Sequence, residues 1–145
     1  PKSNAQPVLM ADLGTVVHEF NHSFIKIEGD TKNALAKSGK TIKSYSAFCM
    51  KQQAYDSWQT ILEESLVRAA EKCYFIEHGD GKVDKGIRNE MNHGFFWMPE
   101  LVQTLRYYES HRKKYPTFTS FYPEIIRFFD RYVADVEKEI QKALK

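Results

Sequence analysis

The chain has 145 residues, 42% of them hydrophobic and 14% aromatic, enough for one domain with a real core and too apolar for intrinsic disorder. Its net charge of +2 comes from 21 basic and 19 acidic residues, a balance that gives no electrostatic case for nucleic acid or an anionic membrane surface. No apolar run approaches the roughly 20 residues of a membrane helix, and two cysteines, Cys49 and Cys73, make no disulfide framework and leave open whether they pair.

Residues 1–8 read as an irregular lead-in. From about Leu9 the pattern turns helical: Leu9, Leu13, Val16, Val17, Phe20 and Phe24 recur at three- and four-residue spacings. This predicts a helix that contributes to a core and ends near Ile25–Gly29. Within it stands His18-Glu19-Phe20-Asn21-His22. Two histidines four apart lie one turn apart on one helix face and can grip a zinc ion. Glu19 then sits beside the metal, where its carboxylate can take a proton from a zinc-bound water.

Residues 29–43 are polar and Lys-rich, and read as a solvated segment with a short helix through Asn33–Lys37. Residues 44–78 form the longest predicted helical stretch, either continuous or split by an Asp56 cap before Trp58. Its apolar stripe is Trp58, Ile61, Leu62, Ser65, Leu66, Ala69 and Cys73. His78-Gly79-Asp80-Gly81 ends it. Residues 79–95 read as a loop with one helical turn around Lys85–Met91. Pro99-Glu100 starts a helix with Leu101, Val102, Leu105 and Tyr108 on one face, ended by Tyr115-Pro116-Thr117. Pro123-Glu124 repeats the start, and Ile125, Phe129, Tyr132, Val136, Ile140 and Leu144 stripe the last helix. No convincing period-two alternation is visible. The expected fold is mainly α, with an active-site helix, a second ligand-bearing helix and little or no β-sheet.

A catalytic zinc usually takes a third protein ligand and leaves one position to water. Glu28 matches the compact His-Glu-x-x-His-x-x-Gly-x-x-His spacing poorly, because position 25 is Ile where that pattern needs Gly. Glu63 and Glu64 lie on the following helix. Glu64 is preferred, since Arg68 one turn later can orient its carboxylate, whereas Glu63 has Val67 there and reads as facing solvent.

These residues resemble the gluzincins, the thermolysin-like zinc peptidases, which pair a His-Glu-x-x-His helix with a glutamate from a following helix. Leu62-Glu63-Glu64-Ser65-Leu66 is similar to their third-ligand helix, with Glu64 at the ligand position. More narrowly, the chain resembles a largely bacterial family catalogued as a domain of unknown function and read as metallopeptidases. His18–Phe24, Tyr55-Asp56-Ser57-Trp58 leading to Glu64 and Val67-Arg68-Ala69, and Tyr108–Arg112 leading to Tyr115–Phe118 carry that likeness. The resemblance implies a zinc-dependent peptidase acting on a peptide or protein, and favours a secreted or periplasmic location. Thermolysin-like folds place a sheet before the active-site helix, and the gap from His22 to Glu64 is longer here. We therefore expect residues 1–145 to be a single zincin-like domain, the C-terminal part of a longer protein, with the Lys-rich segment an insertion.

The expected site is His18, His22 and Glu64 as metal ligands with Glu19 as general base. Tyr107, Tyr108, His93, His111 and Arg112 are candidates to stabilise an oxyanion. The competing expectation is a non-catalytic helical module that keeps the zinc helix for metal binding or protein interaction.

Overall fold

The computed structural model describes residues 12–145, so the lead-in over residues 1–8 and the helical start at Leu9 lie outside the described residues. Six helices follow in order: α1 (Leu13–Asn21), α2 (Gly29–Gln52), α3 (Trp58–Glu77), α4 (Val83–Asn92), α5 (Met98–Ser110) and α6 (Phe118–Ala143). Among the described residues there is no strand, as expected. None of the helices is long and apolar enough to cross a membrane.

The centre of the domain is α3, which packs against α1, α2, α4 and α5, while α6 closes the other side against α2 and α5. Ser57 starts it by accepting a hydrogen bond from the Thr60 backbone N–H at 3.0 Å; Ser57, not Asp56, is the cap. Ile61, Leu62, Leu66, Val67 and Ala69 of α3 are wholly buried. Trp97 and Phe95 from the α4–α5 link, with Phe121 and Phe129 of α6, are the largest buried side chains. The Trp97 indole N–H is satisfied by the Ser65 hydroxyl at 2.9 Å.

The largest departure from the sequence reading is α2. It runs unbroken for 24 residues, although loops around a short helix were expected over residues 29–43 and helix only from residue 44. Its buried stripe is Leu35, Ser38, Gly39, Ile42, Ser46 and Met50. Small polar residues hold inward positions, so the stripe does not read as hydrophobic. A Cβ on Gly39 would sit 2.4 Å from the Trp58 ring, so glycine is what lets α2 and α3 approach. The Lys-rich segment is thus a packed helix of the domain. The 44–78 stretch is accordingly divided between α2 and α3, and the longest element is α6, at 26 residues.

Other boundaries also shift. A ten-residue α4 replaces the expected single turn. The fifth helix ends at Ser110, well before Tyr115. The last begins at Phe118, capped by a reciprocal pair between Thr117 and Ser120, so Pro123 falls inside it. Its apolar stripe outruns the domain: Ile140 is 44% and Leu144 75% exposed.

α1 ends at Asn21, and none of its residues is buried. Val16, Phe20 and Phe24, expected to face a core, are exposed. The anchor is the extended segment behind the helix. Ile25 and Ile27 are buried while Lys26 and Glu28 are exposed, a two-residue alternation. Side chains take the place of a neighbouring strand. The Ile27 N–H donates to Glu63 Oε1 at 2.8 Å, and Gln59 donates to the Ile27 carbonyl at 3.0 Å. Tyr122 of α6 accepts from the Lys26 N–H at 3.1 Å and donates to its carbonyl at 2.6 Å.

Candidate metal centre

Asp12 caps α1, accepting from the Thr15 N–H at 2.8 Å. One turn further on, His18 and His22 project from one face toward α3. Their Nε2 atoms are 3.3 Å apart. Glu64 meets both: Oε1 lies 3.2 Å from His22 Nε2 and Oε2 lies 3.6 Å from His18 Nε2. Residues 42 positions apart in sequence thus form one half-buried cluster able to hold a metal ion. Bond lengths of about 2.1 Å around a tetrahedral zinc place neighbouring ligand atoms about 3.4 Å apart, and the three observed separations bracket that value. The residues present fit such an ion.

Three further side chains orient the cluster. Glu71, two turns after Glu64 on α3, places Oε2 3.4 Å from His18 Nδ1. A proton on Nδ1 directed at Glu71 leaves Nε2 with its lone pair toward the cluster. Burial raises the Glu71 pKa, but hydrogen bonding to His18 and the charge of Lys72 outweigh it and hold the carboxyl below its usual range. Tyr55, from the α2–α3 turn, donates to Glu64 Oε2 at 3.1 Å. Arg68 stands one turn after Glu64, its Nε 3.5 Å from Glu64 Oε2, and donates from Nη2 to the Tyr55 hydroxyl at 3.1 Å. Burial pushes the Tyr55 pKa up, so the hydroxyl keeps the proton it donates.

Glu63 does not face solvent; it binds the backbone of Ile27 and holds the strand-like segment behind α1. Glu28 is exposed and outside the cluster. Glu19 is exposed beside His18. The other candidates lie elsewhere. Tyr108 and Arg112 line a cleft of about 680 Å³ with Val17, Phe20, Phe24 and Phe118, on the other flank of α1. Arg112 lies over the Tyr108 ring and donates to the Pro116 carbonyl at 2.8 Å. Tyr107 stacks on His111 at 3.9 Å. His93 is exposed after α4. None of them contacts His18, His22 or Glu64 among the described residues. Cys49 and Cys73 are both free thiols.

Sequence reasoning missed Tyr55 and Glu71 as partners of the cluster. Glu71 was within reach, since Glu64, Arg68 and Glu71 share the i, i+4, i+7 face of one helix. Tyr55 sits in the link between α2 and α3, with no periodic signal.

These features define an all-helical domain in which two histidines of an edge helix meet a carboxylate of the central helix. Residues 11–128 match the family described as Domain of unknown function (DUF4932), and the chain belongs to that family, in keeping with the expected kinship to such a family. No curated protein and no solved structure matches the chain.

Proposed function

We propose that the protein is a zinc-dependent metallopeptidase of gluzincin type. The observation that supports this reading is the convergence of three side chains from two helices, each pair with donor atoms 3.2–3.6 Å apart, with Glu19 one residue from His18. His18, His22 and Glu64 hold the ion. Zinc bound there supplies Lewis acidity and lowers the pKa of a coordinated water. Glu19 accepts the proton of the attacking water and returns it to the leaving amine. Glu71 fixes the His18 tautomer, and Tyr55 and Arg68 hold Glu64 in place.

A second reading, a non-catalytic metal-binding module, is favoured by one feature: the cleft of about 680 Å³ beside α1 includes none of the three candidate ligands. One experiment separates the two. Purified protein is assayed for bound zinc and for cleavage of an unfolded casein-like substrate, beside Glu19→Gln. The peptidase reading expects about one zinc in each protein and hydrolysis by the wild type only. Zinc without wild-type hydrolysis leaves the binding module. Absence of zinc binding under non-chelating conditions overturns both.

A further inference from the structure

Behind the cluster lies a chain of buried and half-buried charges that the proposed chemistry does not itself require. Glu90, on α4, is only 7% exposed. Its two oxygens go to different cations: Oε2 lies 2.9 Å from Arg68 Nη1, and Oε1 lies 3.2 Å from Lys72 Nζ. Each cation continues toward the cluster. Lys72 reaches Glu71 Oε1 at 3.0 Å, and Glu71 turns its other oxygen to His18. Arg68 reaches Glu64 directly and through Tyr55.

We propose that Glu90 is a positioning residue for the metal centre, acting through Arg68 on Glu64 and through Lys72 and Glu71 on His18. This rests on the metal-binding reading above. Arg68 and Lys72 are strong competitors for the carboxylates that the metal needs. With Glu90 in place the Arg68 guanidinium is drawn toward α4, and stacking on Phe95 at 4.9 Å fixes it there. Its Nε accordingly stops 3.5 Å from Glu64 and makes no hydrogen bond among the described residues, despite being buried. Glu64 keeps both oxygens turned to the histidines. Charge counting agrees. Glu64, Glu71 and Glu90 against Arg68 and Lys72 leave one net negative charge facing the cation position. Without Glu90 the set is neutral, and both cations collapse onto Glu64 and Glu71.

The test compares the full chain with Glu90→Gln, which keeps shape and removes charge. Zinc affinity is measured by competition with a chromogenic chelator, and ligand geometry by the visible absorption of the Co²⁺-loaded protein. We expect affinity to fall by roughly 10–100-fold, the usual cost of losing an outer partner of a metal ligand, with a changed Co²⁺ spectrum. If Glu90 only ties α4 to α3, the variant melts earlier but keeps wild-type affinity and spectrum, which overturns the proposal. Should Glu90→Gln not fold, Glu90→Asp is read in the same way, since the shorter acid retains the charge but cannot span both cations. A wild-type chain that binds no zinc overturns the metal-binding reading as well; unchanged affinity in the variant overturns the positioning role alone.

Discussion

His18 Nδ1 lies 3.4 Å from Glu71 Oε2, on the side of the ring opposite the nitrogen that meets Glu64. The two carboxylates of α3 therefore hold one imidazole from both ends. Glu71→Gln retains volume but loses the anionic acceptor, and is expected to weaken zinc binding by roughly 10–100-fold while leaving the helix content unchanged. Chelator competition and far-UV circular dichroism check this.

Adjacent glutamates on α3 have separate tasks. Glu64→Ala removes a cluster member and is expected to abolish tight zinc binding. Glu63→Ala leaves the cluster intact but strips the partner from the Ile27 N–H, a buried residue. An unpaired buried donor costs about 1–3 kcal/mol, so this variant keeps its metal and loses stability. Metal analysis and urea unfolding of both variants, side by side, test the assignment.

Gly39 sits where α2 meets Trp58. Gly39→Ala places a methyl group 2.4 Å from the ring, and overpacking of this kind costs about 1–3 kcal/mol. Helix propensity alone predicts the opposite sign, because alanine is the better helix former in an interior position. A lowered urea midpoint at unchanged slope supports the packing account; a raised midpoint refutes it.

The two thiols differ in reactivity. Burial pushes the Cys73 thiol up to about 12, with the charge of Glu109 adding to it, so no thiolate forms there near pH 8. Cys49 is partly exposed. Alkylation of native protein at pH 8 is expected to modify Cys49 and spare Cys73, and both react after unfolding. Peptide mapping locates the label.

The His18–His22 pair, the all-helical character and the α3 stripe were legible because each is a local spacing. Glu64 was singled out from its neighbour by Arg68 one turn on, and the structure brings Glu64, and not Glu63, to the histidines. The length of α2 was not legible. Its inward face uses Ser38, Gly39 and Ser46, residues whose burial depends on how closely Trp58 and α3 approach. The apolar face of α1 misled in the opposite direction: Val16, Phe20 and Phe24 have helical spacing, yet they line an open cleft.

Periodicity along the chain thus carries the helices and the paired histidines, since both follow from the 3.6-residue turn. It says nothing of which helix lies against which. Packing of α1 and α4 against neighbouring parts of one α3 face brought Glu64, Glu71 and Glu90 into one charge network. Such networks join residues distant in sequence, and ionic distances of 3–4 Å exist only once the helices have docked. The face that carries His18 and His22 was therefore written in one turn of helix, whereas the residues packed around it were set by the assembly of three.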